Sequence, residues 1–65
     1  MRLLIREKRE KKNISISKLS KLTGISRSML YYIEKNQKKP SFETVYKISV
    51  ALDRNIYEFI AKEIV

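Results

Sequence analysis

The 65-residue chain contains no cysteine, no histidine and no tryptophan, and only one glycine and one proline. Without cysteine there is no disulfide. Without cysteine or histidine the usual ligands for zinc are missing, so neither staple supports a core that is small at this length. No apolar run approaches the roughly 18 residues that a membrane span needs. Leu3-Leu4-Ile5 meets charge too soon to form a signal peptide. The expectation is therefore no membrane, no metal, and an intracellular chain. Catalytic chemistry is equally poorly supplied. The 7 acidic residues are scattered through basic surroundings and helix ends, and no glycine-rich loop could cradle a phosphate. The chain is expected to be no enzyme and to carry no cofactor. Scarce glycine and proline, with no sustained strand-like alternation, predict an all-α fold in a single domain over residues 1–65.

What the chain has in quantity is positive charge, unevenly placed. The formal net charge is +8. Residues 1–39 hold 12 Lys/Arg and 3 acids, which is +9, whereas residues 40–65 hold 3 Lys/Arg and 4 acids, which is −1. A basic half beside a near-neutral half points to one face built for a polyanion. The cations do not share a helix with a broad apolar face, which favours nucleic acid over an anionic membrane.

Five helices fit the pattern. The first is expected over about Leu3 to Lys12, with Asn13 supplying a left-handed exit and Ile14 entering the core. The second covers about Ile16 to Thr23, capped by Ser15, with Leu19 as its core residue. Lys18 near its start opposes the helix dipole, a cost that a bound phosphate would offset. Gly24 ends this helix, Ile25 fills the turn, and Ser26 caps the third helix, which runs to about Lys35. At about 100° per residue, Met29, Leu30 and Ile33 fall on a face expected to be buried, and Arg27, Ser28, Tyr31 and Tyr32 fall on an outward face. A basic loop, Asn36-Gln37-Lys38-Lys39-Pro40, follows. The fourth helix is expected over about Phe42 to Leu52, capped by Ser41, with a core stripe of Phe42, Val45, Ile48 and Leu52. Asn55 and Glu58 form a capping-box pattern at the start of the fifth. Tyr57, Ile60, Ile64 and Val65 exceed the apolar surface a small monomer needs and are candidates for a homodimer contact.

A short helix, a glycine turn and a second helix with a polar outward face make a helix-turn-helix. Its surroundings carry a wider match: Ile5-Arg6-Glu7-Lys8-Arg9, Ile14-Ser15, Leu19, Thr23-Gly24-Ile25-Ser26-Arg27-Ser28, Ile33-Glu34, Pro40-Ser41-Phe42-Glu43-Thr44 and Ala51-Leu52. On these residues the chain resembles the phage repressor and Cro-like helix-turn-helix family, also called the XRE family, from about Ile5 to Phe59. The resemblance implies a compact five-helix, lambda-repressor-like domain whose third helix enters the major groove of double-stranded DNA.

Carried over by position, Arg27, Ser28 and Tyr32 are the base-facing candidates, on the face that helical periodicity selects independently. Arg27 suits a bidentate contact to guanine, and Tyr32 suits a thymine methyl or a phosphate. Tyr31 lies nearer the edge and is assigned to the backbone. Phosphate contacts are expected from Ser15, Ser17, Lys18, Ser26, Asn36, Gln37, Lys38 and Lys39. The resemblance also implies a structural ion pair between Arg9 and Glu34. Two departures stand out. Ile16 replaces the glutamine that usually begins helix 2, and Asp53 replaces the usual glycine after helix 4.

The leading expectation is a cytoplasmic regulator, prokaryotic and nucleoid-associated or phage-encoded, that binds a palindromic operator as a homodimer and most readily represses transcription. The same module also serves antitoxins, with a toxin or other protein as partner, and restriction-modification controllers. A protein-interaction or RNA-binding adaptor is the reading from another class, and helix-borne tyrosines fit RNA poorly.

Overall fold

The computed structural model describes residues 4–59. The helices are α1 (Ile5–Lys11), α2 (Ile16–Thr23), α3 (Arg27–Glu34) and α4 (Phe42–Ala51). Residues 57–59 are helical and open α5. There is no strand among the described residues.

Serine starts three of these helices. Each hydroxyl accepts a backbone N–H three residues on: Ser15 from Lys18 at 3.0 Å, Ser26 from Met29 at 3.1 Å and Ser41 from Thr44 at 3.2 Å. Such a cap is worth about 1 kcal/mol over alanine. The start of α5 is closed reciprocally. The Asn55 carboxamide oxygen accepts from the Tyr57 N–H at 2.9 Å, and Glu58 accepts from the Asn55 N–H at 3.2 Å.

The helix ends explain how the chain manages with one glycine. After α1, α3 and α4 the backbone turns left-handed at Asn13 (φ 56°), Asn36 (φ 60°) and Asp53 (φ 53°). Each is followed by a 6→1 hydrogen bond: Ile14 N–H to Arg9 C=O, Gln37 N–H to Tyr32 C=O, and Arg54 N–H to Ser49 C=O. These are Schellman closures made with Asn and Asp, the side chains that tolerate this conformation best. The glycine, Gly24 (φ 75°), ends α2.

One core gathers all five helices. Ile5, Leu19, Leu30, Ile33, Val45, Ile48, Leu52 and Phe59 are buried, and Ile14, Ile16, Ile25, Ala51 and Ile56 pack around them. Burying each large aliphatic contributes roughly 1.5–3 kcal/mol.

Several expectations need correction. Helix α1 is shorter than Leu3 to Lys12. Lys12 is already its C-cap, because the left-handed turn at Asn13 follows at once, and Leu3 lies outside the described residues. Lys35 and Leu52 likewise cap α3 and α4 rather than extend them. Met29 (38 % exposed) and Phe42 (68 % exposed) are not core residues, and Leu22 is also exposed. Met29 and Phe42 each lie about 70° from the centre of the buried arc of their helix, which Leu30 and Ile33 define on α3 and Val45, Ile48, Ser49 and Leu52 define on α4. Phe42 instead heads an exposed line with Tyr46 and Val50.

Candidate nucleic-acid interface

The turn between α2 and α3 is closed by its own side chains. Ser20 Oγ donates to the Ile25 carbonyl at 2.6 Å. Thr23 Oγ1 donates to the Leu19 carbonyl at 2.8 Å and accepts from the Ile25 N–H at 3.2 Å. Ile25 packs against the core. Both backbone polar groups of Ile25 are thus paired with side chains of α2, which ties the start of α3 to α2.

The far end of α3 is held by α1. Arg9 Nε donates to Glu34 Oε2 at 2.8 Å and Arg9 Nη2 to Glu34 Oε1 at 3.1 Å, a bidentate pair. Arg9 Nη1 also donates to the Ile14 carbonyl at 2.8 Å, so one guanidinium joins α1, the following loop and the end of α3. The two side chains are only 12 % and 6 % exposed. The Glu34 carboxylate, by hydrogen bond and by charge, raises the Arg9 pKa above its ordinary value.

Between these two attachments the outward face is open. Arg27, Ser28, Tyr31 and Tyr32 are all exposed. Arg27 is steadied across the motif: its Nη1 donates to Ser17 Oγ on α2 at 3.3 Å. The Tyr31 and Tyr32 rings meet edge to face, with centroids 5.8 Å apart. The Lys35 ammonium sits over the Tyr31 ring, 4.8 Å from its centroid. That contact orients both groups.

Two clefts flank this arrangement. One, of about 270 Å³, is lined by Ile16, Arg27, Ser28, Tyr31 and Tyr32. The other, of about 360 Å³, lies between α1, the start of α2 and the end of α3. Arg6, Arg9, Ser15, Ile16, Tyr31, Glu34 and Lys35 line it. Ile16 and Tyr31 are common to both. The first cleft combines a fork-shaped donor, a hydroxyl and apolar walls, the chemistry that base edges require. The second presents Arg6 and Lys35, cations suited to a phosphate.

Of the phosphate candidates, Ser15 and Ser26 each accept one backbone N–H as helix caps, and a hydroxyl in that role can still donate its proton. The Ser17 hydroxyl accepts from Arg27. Lys18 is exposed on α2, and Asn36, Gln37, Lys38 and Lys39 are exposed in the loop after α3. Tyr57 is exposed on α5, away from this face in the chain, and Ile60, Ile64 and Val65 lie outside the described residues.

Sequence reasoning missed three contributors. Lys35, four residues after Tyr31, was available from helical spacing. Ile16 looked like a loss and proves to be a wall of both clefts. The Ser17–Arg27 bond joins two helices and has no local signal. A second anchor of α1 was also unforeseen: Lys8 Nζ donates to Glu58 Oε1 at 3.1 Å, and Arg54 pairs with the same carboxylate. The Arg54 and Lys8 hydrogen bonds pull the Glu58 pKa down to about 2.

Comparison with known proteins agrees with this geometry. A family model described as helix-turn-helix matches residues 5–59. The chain is 33 % identical over 57 residues to the HTH-type transcriptional regulator SutR of Escherichia coli K12, covering 88 % of this chain and 32 % of that protein. It is 40 % identical over 50 residues to a putative HTH-type transcriptional regulatory protein of Methanococcus maripaludis C5, covering 77 % of this chain and 15 % of the relative. The chain thus spans a third or less of these relatives. Among solved structures it resembles an HTH_3 family transcriptional regulator from Vibrio cholerae, with a TM-score of 0.81, 29 % identity and coverage of 91 % of this chain and 33 % of the other. It also resembles a chain of the SinR protein/SinI protein complex, with a TM-score of 0.83, 30 % identity and coverage of 91 % and 58 %.

Proposed function

Because the chain belongs to the helix-turn-helix family across residues 5–59, we propose that it is a sequence-specific double-stranded DNA-binding protein that regulates transcription. The observation that carries this reading is Arg27: exposed at the start of α3, steadied by Ser17, and set beside Ser28 and Tyr32 at the mouth of one cleft. In a helix-turn-helix the first residues of the second helix meet base edges in the major groove. Arg27 pairs with guanine, Ser28 and Tyr32 contact neighbouring bases, and Tyr31 takes the backbone edge. Ser15, Ser17, Lys18, Ser26 and the Asn36–Lys39 loop hold phosphates. The +9 charge of residues 1–39 supplies the non-specific attraction.

The protein acts as a homodimeric repressor on a palindromic operator, with half-sites about 34–36 Å apart. Tyr57 is a candidate contact between copies.

Selection of random duplexes by the purified protein tests the reading. A symmetric site with a guanine in each half is expected. Arg27→Ala then weakens binding by about 1–3 kcal/mol and relaxes the preference at one position, whereas Lys39→Ala weakens all sequences alike and lowers the salt slope by about 1. Equal loss on every sequence for Arg27→Ala would reduce that residue to a phosphate contact. Sedimentation equilibrium tests the dimer, which a monomer at all concentrations would overturn.

A protein partner is a second reading. It is supported by the exposed Phe42, Tyr46 and Val50 on α4 and by the neighbouring fold occurring in a SinR protein/SinI protein complex.

A further inference from the structure

The start of α2 carries an isoleucine where a polar residue could have held a phosphate. Ile16 is half-buried and packed against the core, so its position is fixed. Together with Tyr31 and Tyr32 it makes the wall of the 270 Å³ cleft beside Arg27. The tyrosines contact each other, one ring edge to face against the other, with Lys35 over Tyr31. The guanidinium at the rim is steadied by Ser17. The result is a shallow, largely apolar surface cleft beside the Arg27 guanidinium.

Major-groove edges offer donors, acceptors and a single apolar group, the C5-methyl of thymine. An apolar wall gains nothing from an acceptor oxygen or an amino group, which would lose water there without a partner. We infer that Ile16, with Tyr31 and Tyr32, forms a seat for the thymine methyl next to the guanine contacted by Arg27, so that a thymine–guanine neighbour is read as one unit. Ile16 is then a specificity-determining residue. This rests on the DNA-binding reading above and adds to it a named base and the group that recognises it.

The test uses wild-type protein and the selected duplex, with each thymine replaced in turn by deoxyuridine, which deletes only the methyl. One thymine per half-site, adjacent to the guanine whose preference Arg27→Ala relaxes, is expected to lose about fourfold in affinity, the share of one buried methyl group. Ile16→Ala, verified as folded by its thermal transition, is expected to bind the thymine and uracil duplexes equally. Uracil tolerated at every position overturns the inference. So does a thymine preference that survives in Ile16→Ala, or a selected site with no thymine beside that guanine. The uracil series does not depend on the variant folding. A protein that selects no duplex at all overturns the DNA-binding reading itself, a result distinct from the others.

Discussion

Lys8 and Arg9 are neighbours on α1, yet they anchor two different helices by different physics. Arg9 reaches Glu34 at the end of α3 through two parallel hydrogen bonds, with a third to the Ile14 carbonyl, and little of either side chain is exposed. Lys8 reaches Glu58 at the start of α5 through one bond and shares that carboxylate with Arg54, nearer the surface. The first arrangement uses the planar fork of arginine, which a point charge cannot imitate. Its geometry holds the end of α3 in orientation as well as position. The second is a partly solvated network, where water competes for each charge and the net gain is small. Adjacent residues in sequence thus tie α1 to the end of α3 through a buried fork and to the start of α5 through a more exposed network.

The comparison breaks most sharply when one buried partner is removed. Glu34→Ala strands the Arg9 charge and is expected to cost about 3–5 kcal/mol in urea unfolding, a large share of the stability of a small domain. Replacing both partners by apolar residues of similar volume should cost less than either single change. A smaller loss, about 1–3 kcal/mol, is expected of Arg9→Lys, which keeps the charge but surrenders the fork and the Ile14 bond. DNA affinity measured on the folded fraction should fall as well, since the end of α3 is then less well held.

Smallest at neutral pH is the effect of Glu58→Gln, and it carries a pH signature. The Glu58 pKa is lowered from 4.5 to about 2 in the folded chain. Its stabilising contribution is therefore complete above pH 4.5 and fades as the pH falls toward 2. The melting difference between wild type and Glu58→Gln should shrink across that window and vanish below it. A difference constant down to pH 2 would mean that the charge of Glu58 contributes nothing to stability.

Much of this architecture was legible in sequence because its devices are local. Ser15, Ser26 and Ser41 each cap within three residues, and Asn13, Gly24 and Asp53 mark the turns that follow the helices. The core was legible wherever a residue sat near the middle of its helix's buried arc. It was misread at Met29 and Phe42, because periodicity gives the spacing of an apolar stripe and leaves its centre to be set by the neighbouring helices. The pairing of Arg9 with Glu34 came from resemblance, not from spacing. The Ser17–Arg27, Lys8–Glu58 and Ile16 contacts depend on how helices meet, which no window along the chain contains.

The side-chain closure of the α2–α3 turn by Ser20 and Thr23 has a kinetic consequence. A turn closed by its own side chains holds the start of α3 in place before any ligand arrives, which lowers the ordering cost of binding. Charge then governs how quickly the protein and a duplex meet, and this rate falls as salt is added. Uncharged changes within the clefts, at Ile16 or Tyr32, should leave that arrival rate nearly untouched and act on how long the complex lasts, whereas Arg27→Ala, which removes a charge, should change both.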